Sequence, residues 1–270
     1  GKAGSREMTA GSDLDLMTVY DAPPEAMSEG KGWAAGVFYA RFTQRLIAAL
    51  SAHTAEGGLY EVDMRLRPGA AKGPVSLRLS AVQDYYAGEA DTWEFMALTR
   101  ARVVWADDPD FAAKVLATLE AILRHPRPGV SFAADARRMR DLMARERPAQ
   151  GPWDVKLAPG GQVDAEFVAQ VRQLRQARDG GALTVSTLEA LADDPELADA
   201  WRLQQALSQI LGAAFDDRPD PDEEPEGLRK RLAKAAGYPD FATLKAGLDE
   251  ARTAARRAFE AALPPVSDGD

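Results

Sequence analysis

Asp13 and Asp15 stand one residue apart, immediately after Gly11 and Ser12. Side chains in a strand alternate between faces, so the two carboxylates would share one face while Leu14 and Leu16 share the other. Two like charges about 7 Å apart along a strand repel, and a divalent cation relieves that repulsion. Gly11 lets the backbone approach a ligand closely, and Ser12 offers a hydroxyl and an N–H to phosphate oxygens. The donors suit Mg²⁺, and Mn²⁺ suits the same oxygens. Taken alone, an Asp-x-Asp pair after a turn is more often a solvated strand end.

A third carboxylate lies further on. From Leu59 to Leu66, Tyr60, Val62, Met64 and Leu66 alternate with Glu61, Asp63 and Arg65, which predicts a second strand with one buried face. Pairing with the first strand would bring Asp63 toward Asp13 and Asp15, and three carboxylates suffice for two Mg²⁺ ions when one of them bridges. Arg65 and Arg67 follow, placed either for phosphate oxygens or for cross-strand pairing with acids. Pro68 to Pro74, with Gly69, Lys72 and Gly73, reads as a loop able to close over a nucleotide.

The elements that must position these residues follow from periodicity. Gly1 to Thr9 reads as a turn leading into a hairpin arm, with Lys2 and Arg6 near the cleft, and 13–21 as a strand ended by Asp21 and Pro23–Pro24. Between Trp33 and Ser51, Phe38, Phe42, Leu46, Ile47 and Leu50 recur at helical spacing, which predicts an amphipathic helix with its aromatics in the core. Ser80 is the expected N-cap of a short helix, 92–104 is a further helix, and Asp108–Pro109 opens another that runs to Arg124. Beyond it the chain reads as helical, with helices from Ser131 to Arg147, 164–177, 195–215, 227–236 and 240–263, and a short strand at 153–156. Asp164 and Glu166 fall in a first turn, where acids favour the helix dipole. Asp216 to Glu226 reads as a solvated acidic connector. The expected fold class is α+β: a small sheet flanked by helices over 1–106, a helical bundle over 107–263, and a disordered tail at 264–270.

Composition narrows the function classes. A chain of 270 residues, 46% of them hydrophobic, can bury a sizeable core, and no run approaches the roughly 18 apolar residues of a membrane span. Cysteine is absent, which removes disulfides, thiolate metal sites and a cysteine nucleophile; His53 and His125 alone make a multi-histidine zinc site untenable. A net charge of −9 argues against nucleic-acid binding. A cytoplasmic, soluble protein is expected, and the opening Gly1–Lys2 reads as the edge of a segment cut from something longer.

Glycine-serine followed by Asp-x-Asp, with a later third Asp, resembles the nucleotidyltransferase superfamily that includes DNA polymerase beta. The longer stretches GKAGSREMTAGSDLDL (1–16), YEVDMRLRPGAAKGP (60–74), TWEFMALTRARVV (92–104) and WDVKLAPGGQVDAEFVAQ (153–170) resemble the glutamine synthetase adenylyltransferases. That family carries two related units, one attaching AMP from ATP to glutamine synthetase and one removing it by phosphorolysis. Val163–Asp164 after Gly161–Gln162, and Thr99–Arg100–Ala101–Arg102, are similar to the attaching unit. Phe95–Met96 stands where many relatives have His-Gln, a departure that touches none of the carboxylates. The resemblance implies that Asp13 and Asp15 bind metal shared with the ATP phosphates, that Asp63 lies near the attacking hydroxyl, and that Gly11 and Ser12 hold the triphosphate. It also implies glutamine synthetase as protein substrate and, on resemblance alone, the PII signalling protein as a partner. Three alternatives stay open: the AMP-removing unit, a nucleotidyltransferase with a small-molecule or RNA acceptor, and a non-catalytic interaction module.

Overall fold

The computed structural model describes residues 1–9, 12–58, 60–69, 72–215 and 220–265. The chain divides into two compact units, Gly1–His125 and Pro126–Asp270. The division falls one helix later than the boundary expected at 106, because the helix after Asp108 packs within the first unit.

The first unit is α+β. A short helix α1 (Lys2–Ser5) takes the place of the expected hairpin arm and leads to β1 (Leu14–Asp15), β2 (Thr18–Tyr20) and α2 (Ala35–Leu50). Then come β3 (Val62–Asp63), β4 (Ser76–Arg78), α3 (Leu79–Gly88), α4 (Thr92–Leu98) and α5 (Pro109–Arg124). The strand expected over 13–21 is broken in two, and each half has its own partner: β1 lies parallel to β3, and β2 lies parallel to β4. The strand expected over 59–66 is limited to Val62–Asp63, with Leu59 outside the described residues. β4 was not anticipated; three residues between a proline-rich loop and a helix give too short a run for alternation to register. The residue before α3 is Arg78, without a side-chain cap, so Ser80 lies inside the helix instead of capping it.

α2 corrects the expected core. Its inward row is Ala35, Tyr39 and Thr43, at i, i+4 and i+8. Tyr39 stacks on Tyr20 at 4.4 Å, and the Thr43 hydroxyl meets that of Thr18 at 2.8 Å. Phe38 and Phe42 occupy the neighbouring row and remain 41% and 47% exposed. The buried apolar set of this unit lies elsewhere, in Leu77, Leu79, Val82, Tyr86, Phe95 and Met96, with Tyr86 and Phe95 edge to face at 5.1 Å. α4 ends at Leu98 rather than Val104, after starting from a capping box in which Asp91 and Glu94 each satisfy the other's backbone.

The second unit is helical: α6 (Phe132–Glu146), α7 (Gln162–Arg178), α8 (Thr187–Ala190), α9 (Pro195–Ala214), α10 (Glu226–Ala235) and α11 (Phe241–Ala262). α7 is buried on nearly every side and packs against α6, α9 and α11. The segment 153–156 forms turns, not the expected strand, because Asp154 Oδ1 accepts from the N–H groups of Lys156 (3.1 Å) and Leu157 (2.8 Å). Trp153 enters the core and stacks on Phe241 at 5.4 Å. Within the connector expected to be solvated, Asp222 is tied down: it accepts from Trp153 Nε1 at 3.0 Å and from Lys245 at 2.6 Å. Residues 216–219 and, in the expected tail, 266–270 lie outside the described residues. Among the described residues no helix is long and apolar enough to cross a membrane.

Candidate active site

Backbone register brings two of the candidate carboxylates together. Asp15 is the direct partner of Asp63 across the parallel pair, fixed by the Leu14 N–H donating to the Glu61 carbonyl at 2.7 Å and the Leu16 N–H donating to the Asp63 carbonyl at 2.9 Å. Opposed residues on neighbouring strands present their side chains on the same face. Asp13, just before β1, is exposed. Burial pushes the Asp15 carboxyl above the usual carboxylate range, and the charges of Asp63 and Asp13 add to that rise. The Arg100 guanidinium pulls in the other direction.

Asp63 is held by its neighbour. The Arg65 guanidinium donates from Nε to Oδ1 (3.0 Å) and Oδ2 (2.8 Å), and the Arg65 N–H donates to Oδ1 at 2.7 Å. These hydrogen bonds keep the Asp63 carboxyl below the usual range. Of the two readings of Arg65, pairing with an acid is the one seen, although within a strand end rather than across strands. Arg67 does neither. It is buried and donates to three carbonyls, Nε to Pro74 at 3.0 Å, Nη2 to Gly73 at 3.3 Å, and Nη1 to Met64.

Ser12 is bonded back to Thr9. The Ser12 N–H donates to the Thr9 carbonyl at 3.0 Å, and Ser12 Oγ accepts from the Thr9 N–H at 3.0 Å while lying 2.9 Å from Thr9 Oγ1. Gly11 lies outside the described residues.

Two arginines join the site that were not among the expected ligands. Arg100 acts on Asp15 by charge, and Arg102 donates to the Gly4 and Ala3 carbonyls at 3.0 Å each, gripping the end of α1. Gly4 permits that contact, since a Cβ there would lie 1.8 Å from the Arg100 carbonyl oxygen. Their sequence signal is the Thr99–Arg100–Ala101–Arg102 run, whose resemblance to the attaching unit says nothing of a contact with Asp15 or α1.

Among the described residues no three His, Asp or Glu side chains are gathered closely enough to hold a metal ion. Asp63 is turned to Arg65 and Asp13 to solvent. The donor set fits a hard divalent cation in kind: every candidate is an oxygen ligand, and a cation would offset both the burial of Asp15, which is the main cause of its raised pKa, and the smaller repulsion from Asp63 and Asp13.

A model of the glutamate-ammonia ligase adenylyltransferase family matches residues 1–118. The match takes in Asp13, Asp15, Asp63 and both arginines that follow. Similarity to curated adenylyltransferases runs on through the helical unit. The bifunctional glutamine synthetase adenylyltransferase/adenylyl-removing enzyme of Caulobacter vibrioides is 54% identical over 97% of this chain. The enzymes of the same name from Brucella suis and Brucella melitensis are each 44% identical over 96% of it. The chain spans 28% of the length of these adenylyltransferases.

Proposed function

We propose that this chain is the AMP-attaching unit of a glutamine synthetase adenylyltransferase: it transfers AMP from ATP to a tyrosine hydroxyl of glutamine synthetase and releases pyrophosphate. The observation that carries this reading is the register of Asp15 with Asp63, which opposes two carboxylates across neighbouring strands within the family-matched segment. The choice of the attaching unit rests on Val163–Asp164 after Gly161–Gln162 and on Thr99–Arg100–Ala101–Arg102.

In this reading Asp13, Asp15 and Asp63 would hold Mg²⁺ or Mn²⁺, which supplies charge neutralisation at the phosphates and at the departing pyrophosphate. Gly11 and Ser12 bind the triphosphate, with Ser12 exchanging its contacts to Thr9 for phosphate oxygens. A tyrosine hydroxyl has a pKa near 10 and is a poor nucleophile at neutral pH, so Asp63 assists by accepting its proton. The Arg65 guanidinium opposes that role while it is paired with Asp63, and its transfer to a phosphate oxygen frees the carboxylate as the nucleotide arrives. The tyrosine oxygen then bonds to the α-phosphorus as the bond to pyrophosphate breaks. The proposed setting is cytoplasmic nitrogen regulation, with the PII protein as a regulatory partner.

The test is incubation with glutamine synthetase, α-labelled ATP and Mg²⁺, beside Asp13→Asn/Asp15→Asn and Asp63→Asn variants. Label on glutamine synthetase that is lost in both variants, with ATP binding largely retained in Asp63→Asn, supports the reading. Release of AMP from adenylylated enzyme by phosphate, without labelling, would identify the removing unit instead. Wild-type transfer rates in Asp63→Asn would overturn the role given to that residue.

A further inference from the structure

The arginine two residues beyond Arg65 is built into the fold in a way that the nucleotide reading does not explain. Arg67 is 6% exposed, and its guanidinium reaches carbonyls on both sides of a loop: Met64, next to Asp63, and Gly73 and Pro74 at the far end. The loop is closed tightly beneath it. The Gly73 N–H donates to the Gly69 carbonyl at 3.0 Å, Gly69 has φ 73°, and a Cβ on Gly73 would stand 2.3 Å from the Pro68 carbonyl oxygen. A planar fork with several fixed donors can bridge carbonyls this way, and a lysine ammonium cannot reproduce it.

We propose that Arg67 is a positioning residue for the transfer reaction: it ties the strand end that carries Asp63 to the Gly73–Pro74 segment and does not itself bind phosphate. The proposal rests on the functional reading above for its reaction, and on the geometry of this chain for its mechanism. With the fork removed, the Met64 carbonyl loses its anchor and the adjoining Asp63 loses its fixed placement, a kind of misplacement that costs up to about 100-fold in rate. Ground-state attraction for ATP does not pass through Arg67 and is retained.

The experiment compares wild-type protein with Arg67→Lys and Arg67→Ala, reading kcat, KM for ATP, direct ATP affinity by calorimetry, and tryptic cleavage after Lys72. Positioning predicts that both variants lose about 10- to 100-fold in kcat, keep ATP affinity and KM within about threefold, and are cut faster after Lys72. It also predicts that added guanidinium partly restores kcat in Arg67→Ala but not in Arg67→Lys. A near-wild-type Arg67→Lys, with KM raised and kcat intact in Arg67→Ala, would make Arg67 a phosphate ligand and overturn the proposal. Should Arg67→Ala not fold, Arg67→Lys carries the same comparison. Absence of transfer by wild-type protein would overturn the functional reading; unchanged ATP affinity with faster loop cleavage would then support the tie, and lost affinity without faster cleavage would overturn it.

Discussion

Asp164 in the first turn of α7 and Arg140 on α6 meet at 2.5 Å, with side chains 0% and 3% exposed. The other carboxylate oxygen accepts from Gly160 N–H at 2.8 Å and from Arg256 of α11 at 3.1 Å, so one acid joins three helices and a glycine turn. Removing one partner of a buried pair leaves the other charge without compensation. Asp164→Asn should therefore destabilise the helical unit by about 3–5 kcal/mol, while Asp164→Leu combined with Arg140→Met should cost much less. Urea denaturation decides, and a loss below about 1 kcal/mol in the single variant would show that the pair does not hold the helices together.

Gly160 offers a second stability test with an internal control. Its φ is 73°, and a Cβ would lie 2.0 Å from the Arg252 carbonyl oxygen, whereas Gly151, at φ 118°, has open space around it. Gly151→Ala should show backbone strain alone, about 1–2 kcal/mol, and Gly160→Ala should exceed it because α11 must shift. Equal melting temperatures for the two variants would remove the close approach as a cause.

Asp222 sets a pH dependence. The Lys245 hydrogen bond, followed by that of the Trp153 indole, holds its carboxyl below the usual range. A depressed folded-state pKa contributes stability above the unfolded value and loses it as pH falls through the folded one. Wild-type protein should exceed Asp222→Asn in stability at pH 7, and the gap should close below about pH 4. Urea denaturation of both proteins at the two pH values reports it; a gap that persists in acid would contradict the charge account.

Phe38 and Phe42 test the corrected placement of α2. Had they been core residues, truncation to Ala would cost about 3–5 kcal/mol each. At 41% and 47% exposure the expected cost is about 1 kcal/mol or less. Thermal melts of the single variants distinguish the two placements.

The same helix shows where sequence reading succeeds and stops. Spacing located α2 to within two residues at its start, because periodicity is a local property of the chain. It chose the wrong face because Phe38–Phe42 and Tyr39–Thr43 are adjacent rows with the same period, and only the sheet decides which one it receives. Asp108, Ser131 and Asp240 were legible as helix starts because their side chains cap locally. Asp164 was legible as a first-turn acid but not as a buried pair, since Arg140 and Arg256 are distant in sequence. At the candidate site, pairing of β1 with β3 followed from alternation and turn signals, whereas the Arg65 clamp and the Arg67 fork depend on the path of the loop after Asp63.

The parallel pairing of β1 with β3 and of β2 with β4 also governs when the carboxylate face comes into being. In each pair the second strand follows the whole of α2, and parallel strands cannot meet until the crossover between them has closed. The entropy of that closure is lost before pairing returns any energy, so these contacts are slow to form, while helices grow from neighbours along the chain. A chain emerging from the ribosome carries Asp15 long before its counterpart has been synthesised, and helical signal on refolding should return ahead of the aligned carboxylates. Maturation of the first unit is thus timed by one crossover.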